Sequence, residues 1–234
     1  MNPKYNRVLL KLSGEALEGK DEILDAEKVK NVCAVIKKCA DEGVSFGIVI
    51  GGGNIWRGRQ GLSVERTKSD GMGMLATLIN SIAISDALIK QGLDAKVLSA
   101  LDVQKLAESF SAEKARSYLD QGKAVVFACG TGNPYFSTDT GAILRALEIK
   151  ADIILSAKNI DAVYDSDPKL NPNAKKYGSL SYNEVIEKDL KAIDGTAACM
   201  GGENGMKMLV FALKDPDNIR RALIGEDVGT VIHP

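Results

Sequence analysis

Val44-Ser45-Phe46-Gly47-Ile48-Val49-Ile50-Gly51-Gly52-Gly53-Asn54 is an apolar, β-rich run that ends in three consecutive glycines. A short run with few charges reads as a strand buried on both sheet faces, here Val44–Ile50, with the glycines forming the turn beyond its carboxyl end. The pattern recurs along the chain. Lys11-Leu12-Ser13-Gly14 closes a strand at Val8–Leu12, and Gly130-Thr131-Gly132-Asn133 follows one at Ala124–Ala128. Further strands are expected at Ala95–Leu98, Ile153–Ser156, Leu209–Phe211 and Thr230–Ile232.

Helical periods fill the gaps. Val29, Val32, Cys33 and Ile36 follow Asp25, a candidate N-cap, and Met72, Leu75, Ile79, Ile82 and Ala83 mark a longer helix ending near Gly92. Ala115, Tyr118 and Leu119 follow Ser111, while Ile143, Leu144 and Leu147 follow Asp139. Ser181-Tyr182-Asn183-Glu184 is a capping box, and Asp217 is a candidate cap for a last helix stopping at Gly225. This alternation predicts an α/β fold: a three-layer αβα sandwich with a mainly parallel central sheet, residues 1–234 forming a single domain. The polar stretch Asp165–Ser179 is the longest expected loop.

Composition narrows the chemistry. The 30 Lys+Arg and 31 Asp+Glu nearly cancel, so no protein-wide basic field for nucleic acid exists. The single histidine, His233, is penultimate, and a histidine triad or HExxH zinc site would need a mobile tail. Cys33, Cys39, Cys129 and Cys199 form no CxxC pair and read as reduced core thiols. With no signal peptide and no run near membrane-spanning length, a cytoplasmic protein without membrane partners is expected.

Ligands of open α/β sheets bind beyond the carboxyl ends of the strands, where backbone N–H groups converge. A glycine there also serves as a plain tight turn, but three in a row followed by Asn54, Arg57 and Arg59 favour phosphate binding. No GxxxxGK[ST] loop occurs: Gly19-Lys20 and Gly122-Lys123 lack its other residues. Gly71-Met72-Gly73-Met74-Leu75-Ala76 fits GxGxxA in letters only, because the preceding Glu65–Asp70 is no strand. Lys11 stands where it could reach phosphates, or is an ordinary strand-end lysine. Asp139 and Asp194 are either acidic groups of a phosphoryl-transfer site or plain N-caps, and their chemistry alone leaves both readings open.

Four blocks carry a family resemblance: Lys11-Leu12-Ser13-Gly14-Glu15-Ala16-Leu17, Gly51-Gly52-Gly53-Asn54-Ile55-Trp56-Arg57-Gly58, Asp70–Thr77, and Gly130-Thr131-Gly132-Asn133-Pro134-Tyr135-Phe136-Ser137-Thr138-Asp139-Thr140. With Asp161-Ala162-Val163-Tyr164, Asp167-Pro168-Lys169 and Gly229-Thr230, they resemble the bacterial uridylate kinases of the amino acid kinase superfamily over nearly the whole chain. The resemblance implies ATP-dependent phosphorylation of UMP, with Mg2+ accompanying ATP. It implies that Lys11, Leu12, Ser13, Gly14, Gly53 and Arg57 hold the ATP phosphates. Lys158 or Asn159, with Tyr164 and Asp167, would meet the adenosine end. Gly52, Asp70, Thr131, Gly132, Asn133, Pro134, Tyr135, Phe136, Ser137 and Thr138 would hold UMP, while Lys11, Asp139 and Asp194 would be catalytic.

The family also implies a homohexamer. Lys20-Asp21-Glu22-Ile23-Leu24 is shorter than the family's effector loop and lacks its glycine, so the resemblance does not extend to GTP activation or UTP inhibition. Two other functions fit the same fold: a kinase of a carboxylate or carbamate, and a nucleotide-binding storage or sensor protein. For the apolar positions from Met72 to Ile82, core packing is expected over an interface.

Overall fold

Alternate residues of the apolar runs point to opposite faces, and each face meets its own helices. Val8, Leu10, Leu12, Phe46, Ile48 and Ile50 join one core cluster; Leu9 and Val49 join the other. The computed structural model describes residues 3–57, 63–168 and 170–234, so Gly58, Arg59 and Lys169 lie outside the described residues.

In chain order the elements are β1 (Arg7–Leu12), α1 (Gly14–Leu17), α2 (Ala26–Asp41), β2 (Ser45–Ile50), α3 (Arg66–Lys90), β3 (Ala95–Ser99), β4 (Glu108–Ser109), α4 (Ala112–Asp120), β5 (Ala124–Ala128), α5 (Thr138–Glu148), β6 (Ile153–Lys158), β7 (Val163–Tyr164), β8 (Lys176–Tyr177), β9 (Ser179–Ser181), α6 (Tyr182–Glu187), α7 (Gly195–Glu203), β10 (Met208–Ala212), α8 (Asn218–Leu223) and β11 (Gly229–His233). Nine strands form one sheet in the order β4-β3-β5-β2-β1-β6-β10-β11-β9. Every pairing is parallel except β10 with β11. Helices α2, α3 and α8 cover one face, and α4, α5, α6 and α7 the other. The expected three-layer sandwich is therefore observed.

Caps at Asp25 and Ser111 and the Ser181–Glu184 capping box form as their residues predict. Asp217 does not: its side chain caps nothing, and its own N–H donates to Asp215 instead. The expected loop Asp165–Ser179 contains β8, which pairs with β7 in a separate two-stranded ribbon. His233 is no mobile tail residue but ends β11 beside Ser181, at the sheet edge opposite the glycine turns.

Helix α3 departs most from expectation. Its 25 residues are apolar enough to cross a membrane by length and composition, contrary to the expectation that no run approaches that length. Nor is its periodic stripe core: Met72, Leu75, Ile79 and Ile82 are exposed, Ile79 by 53%. The buried face instead carries Ala76, Leu78, Ile84 and Leu88 beside Ser69, Thr77, Asn80, Ser81 and Ser85. Those polar groups are held within the protein, so the helix has a polar inner and an apolar outer stripe. Cys199 also departs, lying exposed on α7 while Cys33, Cys39 and Cys129 are buried.

Candidate active site

The chain leaves β1 for β2 on one side, and α5 later returns it to β6 on the other. That reversal opens a crevice at the carboxyl ends of the central strands, floored by the glycine turns after β1, β2 and β5. Packing makes the first turn specific for glycine, since a Cβ on Gly14 would occupy the place of the Asn54 side-chain oxygen and the Gly51 carbonyl. Gly51 N–H in turn donates to the Leu12 carbonyl, which joins the two turns.

At the centre, two ammonium groups share one carboxylate. Lys11, on β1 and only 6% exposed, sits 3.0 Å from Asp139 Oδ1; Lys158, ending β6, sits 3.1 Å from Oδ2. Asp139 is free for this role because Ser137 caps α5, its hydroxyl accepting from the Asp139 and Thr140 N–H groups. Burial pushes the Asp139 carboxyl up, but Lys11 and then Lys158 outweigh it and hold it at about 2. Lys158 is lowered, first by burial and then by Lys11, against the opposing pull of Asp139. Its ammonium also donates to the Ala192 carbonyl. Asp194 does cap: it accepts from Ala197 N–H at 3.0 Å, from the Thr140 hydroxyl at 3.0 Å and from the Ser137 hydroxyl. It stands one layer behind Asp139 and ties α7 to the start of α5.

Three adjoining cavities run along this edge. Lys11, Ser13, Gly14, Glu15, Gly51, Gly52, Gly53, Thr138, Lys158, Asn159 and Ile160 line the middle one. Gly52, Gly53 and Thr138 also face a second cavity with Asp70, Thr77, Gly130, Thr131, Asn133, Phe136 and Ser137. Ile160 leads to a third, walled by Ala162–Pro168 and Lys188–Ala192, where Tyr164 and Asp167 lie.

Most of the expected residues thus gather in one trail. Leu12 contributes only backbone, its side chain being fully buried in the core. Arg57 stands at the rim, 2.9 Å from Glu15 and donating to the Gly53 carbonyl at 3.2 Å. Gly132, Pro134 and Tyr135 shape the turn behind the second cavity; Tyr135 has φ +72° and its N–H donates to Asp70 at 2.8 Å. Arg66 grips the same Asp70 at 2.8 Å. Of the two candidates after β6, Lys158 holds its ammonium on Asp139 and the Ala192 carbonyl, and both it and Asn159 line the middle cavity and not the one that holds Tyr164. The sequence reading met Thr77 only as the end of the Asp70–Thr77 block, without a role, and missed Asn80 and Arg145 altogether. Arg145 is 4% exposed, stacks on Phe110 and donates to the Gly130 carbonyl at 3.2 Å. Polar residues at helical spacing within apolar α3 were the available signal for Thr77 and Asn80.

The family model of the amino acid kinase family matches residues 6–213, spanning the whole crevice. The chain belongs to the amino acid kinase family. Within that family it is similar to the crystal structure of UMP kinase from Bacillus anthracis, at 35% identity and TM-score 0.94, covering 98% of this chain and 96% of that one. UMP kinase from Ureaplasma parvum is 37% identical with TM-score 0.93, at 99% and 100% coverage. Uridylate kinase from Archaeoglobus fulgidus is 30% identical with TM-score 0.75, at 96% and 99%. The pairing of Lys11 with Asp139 lies where the sheet topology reverses, within the residues that the family model matches.

Proposed function

We propose that this protein transfers the γ-phosphoryl group of ATP to UMP, giving ADP and UDP, in the synthesis of pyrimidine nucleotides. The observation that carries the reading is the pair Lys11 and Lys158 on Asp139, set where two anion-sized cavities share the wall Gly52–Gly53, in a chain alike from end to end to UMP kinases. ATP places its phosphates by Lys11, Ser13, Gly14, Gly53 and Arg57 and its adenosine near Asn159, Tyr164 and Asp167. UMP occupies the second cavity, against Gly52, Asp70 and Thr131–Thr138.

An oxygen of the UMP phosphate attacks Pγ as the bond from Pγ to the β,γ-bridging oxygen breaks. The second ionisation of a phosphate monoester falls near pH 6, so the nucleophile is already ionised and no general base is needed. An Asp139 held at about 2 carries no proton to exchange. Its work is to aim two ammonium groups at charge gathering on the transferred group, with Asp194 steadying α5 behind it. Mg2+ would accompany ATP and offset charge on its phosphates. The Asp139 and Asp194 oxygens already face ammonium, hydroxyl and N–H donors, so no protein ligand is assigned to it.

ADP release measured with UMP, CMP, dTMP, GMP and small amino acids tests the reading. Turnover is expected with UMP above all others; negligible turnover with UMP, or nucleotide binding without turnover, overturns it. A carboxylate substrate would call for a cationic acceptor pocket, whereas this one presents Asp70.

The protein is further proposed to be cytoplasmic and to assemble as a homohexamer. The α3 stripe of Met72, Leu75, Ile79 and Ile82 supports assembly, because an exposed apolar patch of this kind marks an interaction surface. Replacing Leu75 and Ile79 together by Asp is expected to shift sedimentation to a smaller species. An unchanged sedimentation coefficient would remove α3 from the interface.

A further inference from the structure

The inner stripe of α3 reaches both walls of the crevice. Asn80, fully buried, donates through Nδ2 to the Gly51 carbonyl at 2.8 Å and to Asn54 Oδ1 at 2.8 Å. Asn54 returns a bond to Asn80 Oδ1 at 3.1 Å and donates to the Ile23 carbonyl at 2.8 Å. One helical turn earlier, the Thr77 hydroxyl accepts from the Cys129 N–H at 2.9 Å and donates to the Met74 carbonyl at 2.7 Å. Cys129 is a non-glycine residue at φ +64°, a backbone conformation that persists only where its surroundings hold it. Between these two ties the helix touches the shared wall directly. A Cβ on Gly52 would lie 2.9 Å from both the Ala76 Cβ and the Gly73 carbonyl oxygen.

We propose that Thr77 and Asn80 are positioning residues that fix the glycine turn after β2 and the turn after β5 at the separation phosphoryl transfer requires. The inference rests on the UMP kinase reading above. Both hydrogen-bonding groups are engaged within the protein, Thr77 on backbone and Asn80 on backbone and the Asn54 amide. Each wall keeps its own attachments without α3: Gly51 N–H bonds to Leu12, and the Gly130 carbonyl is held by Arg145. Removing one tie while Asp70 and the rest of α3 stay in place therefore leaves each nucleotide its own pocket while spoiling the approach of one phosphate to the other. A misplacement of about 1 Å between reacting groups costs about 100-fold in rate.

Thr77→Val keeps the shape and removes the acceptor for Cys129 N–H. It is expected to lower kcat by roughly 10-fold or more, with KM for ATP and for UMP each within about 3-fold, while Thr77→Ser restores kcat to within about 3-fold. ADP released without UDP formation is expected to rise relative to transfer, because water can then compete for a misaligned phosphoryl group. If Thr77→Val does not fold, Asn80→Ala is read by the same ratios. Unchanged kcat, a rise in KM alone, or failure of Thr77→Ser to restore transfer overturns the proposal. Wild-type protein inactive on UMP overturns instead the reading on which it rests.

Discussion

Lys11→Ala is expected to lower kcat by about 1,000-fold while KM for UMP moves only a few-fold, the signature of an interaction made chiefly in the transition state. Lys11 is buried on the central strand, with Asp139 at 3.0 Å as its ionic partner. A buried ammonium in a water-poor crevice acts on charge far more strongly than an exposed one. Lys11→Arg is not expected to rescue, because a planar guanidinium cannot occupy the point between β1 and α5 that the compact ammonium fills. Steady-state kinetics with both substrates varied separates the cases. A KM for UMP that rises as far as kcat falls would make Lys11 a grip on the acceptor instead.

The fold was legible because its strands are short apolar runs closed by glycines, and seven of them lie within two residues of their expected ends. What escaped were elements too short to show a period, namely α1, β4, the β7–β8 ribbon and β9, and also α7, whose small residues GTAACMGGE carry no apolar stripe. The crevice was legible for the same reason, since backbone turns rich in glycine announce themselves locally. Partnerships across the chain did not. Nothing near Asp139 in sequence tells that Ser137 takes over the cap and frees the carboxylate for two lysines on β1 and β6. Helix α3 misled for a related reason. Periodicity marks an apolar stripe equally whether core or another surface covers it, so Met72, Leu75, Ile79 and Ile82 read as core, and the polar stripe of Thr77 and Asn80 beneath them went unread.

Asp139→Asn is expected to lower kcat by about 100- to 1,000-fold through loss of aim, with a pH signature that simple misfolding does not produce. In the wild type, Lys158 is lowered by burial and by Lys11, while Asp139 pulls its pKa upward. Removing that carboxylate leaves two buried ammonium groups facing each other, so Lys158 gives up its proton more readily. The alkaline limb of the kcat profile is thereby expected to move to lower pH; a limb that stays in place would show that Lys158 takes no part. Acid behaviour supplies the second check. The folded carboxyl lies at about 2 against an ordinary 3.8, so it contributes stability above pH 3.8 that is lost as pH falls towards 2. The linked contribution is on the order of 2 kcal/mol. The stability gap between wild type and Asp139→Asn, read from denaturant melts, is therefore expected to be full at pH 6 and to narrow steadily below pH 4. A gap independent of pH would mean that the two lysines gain nothing from the charge on Asp139, only from its shape.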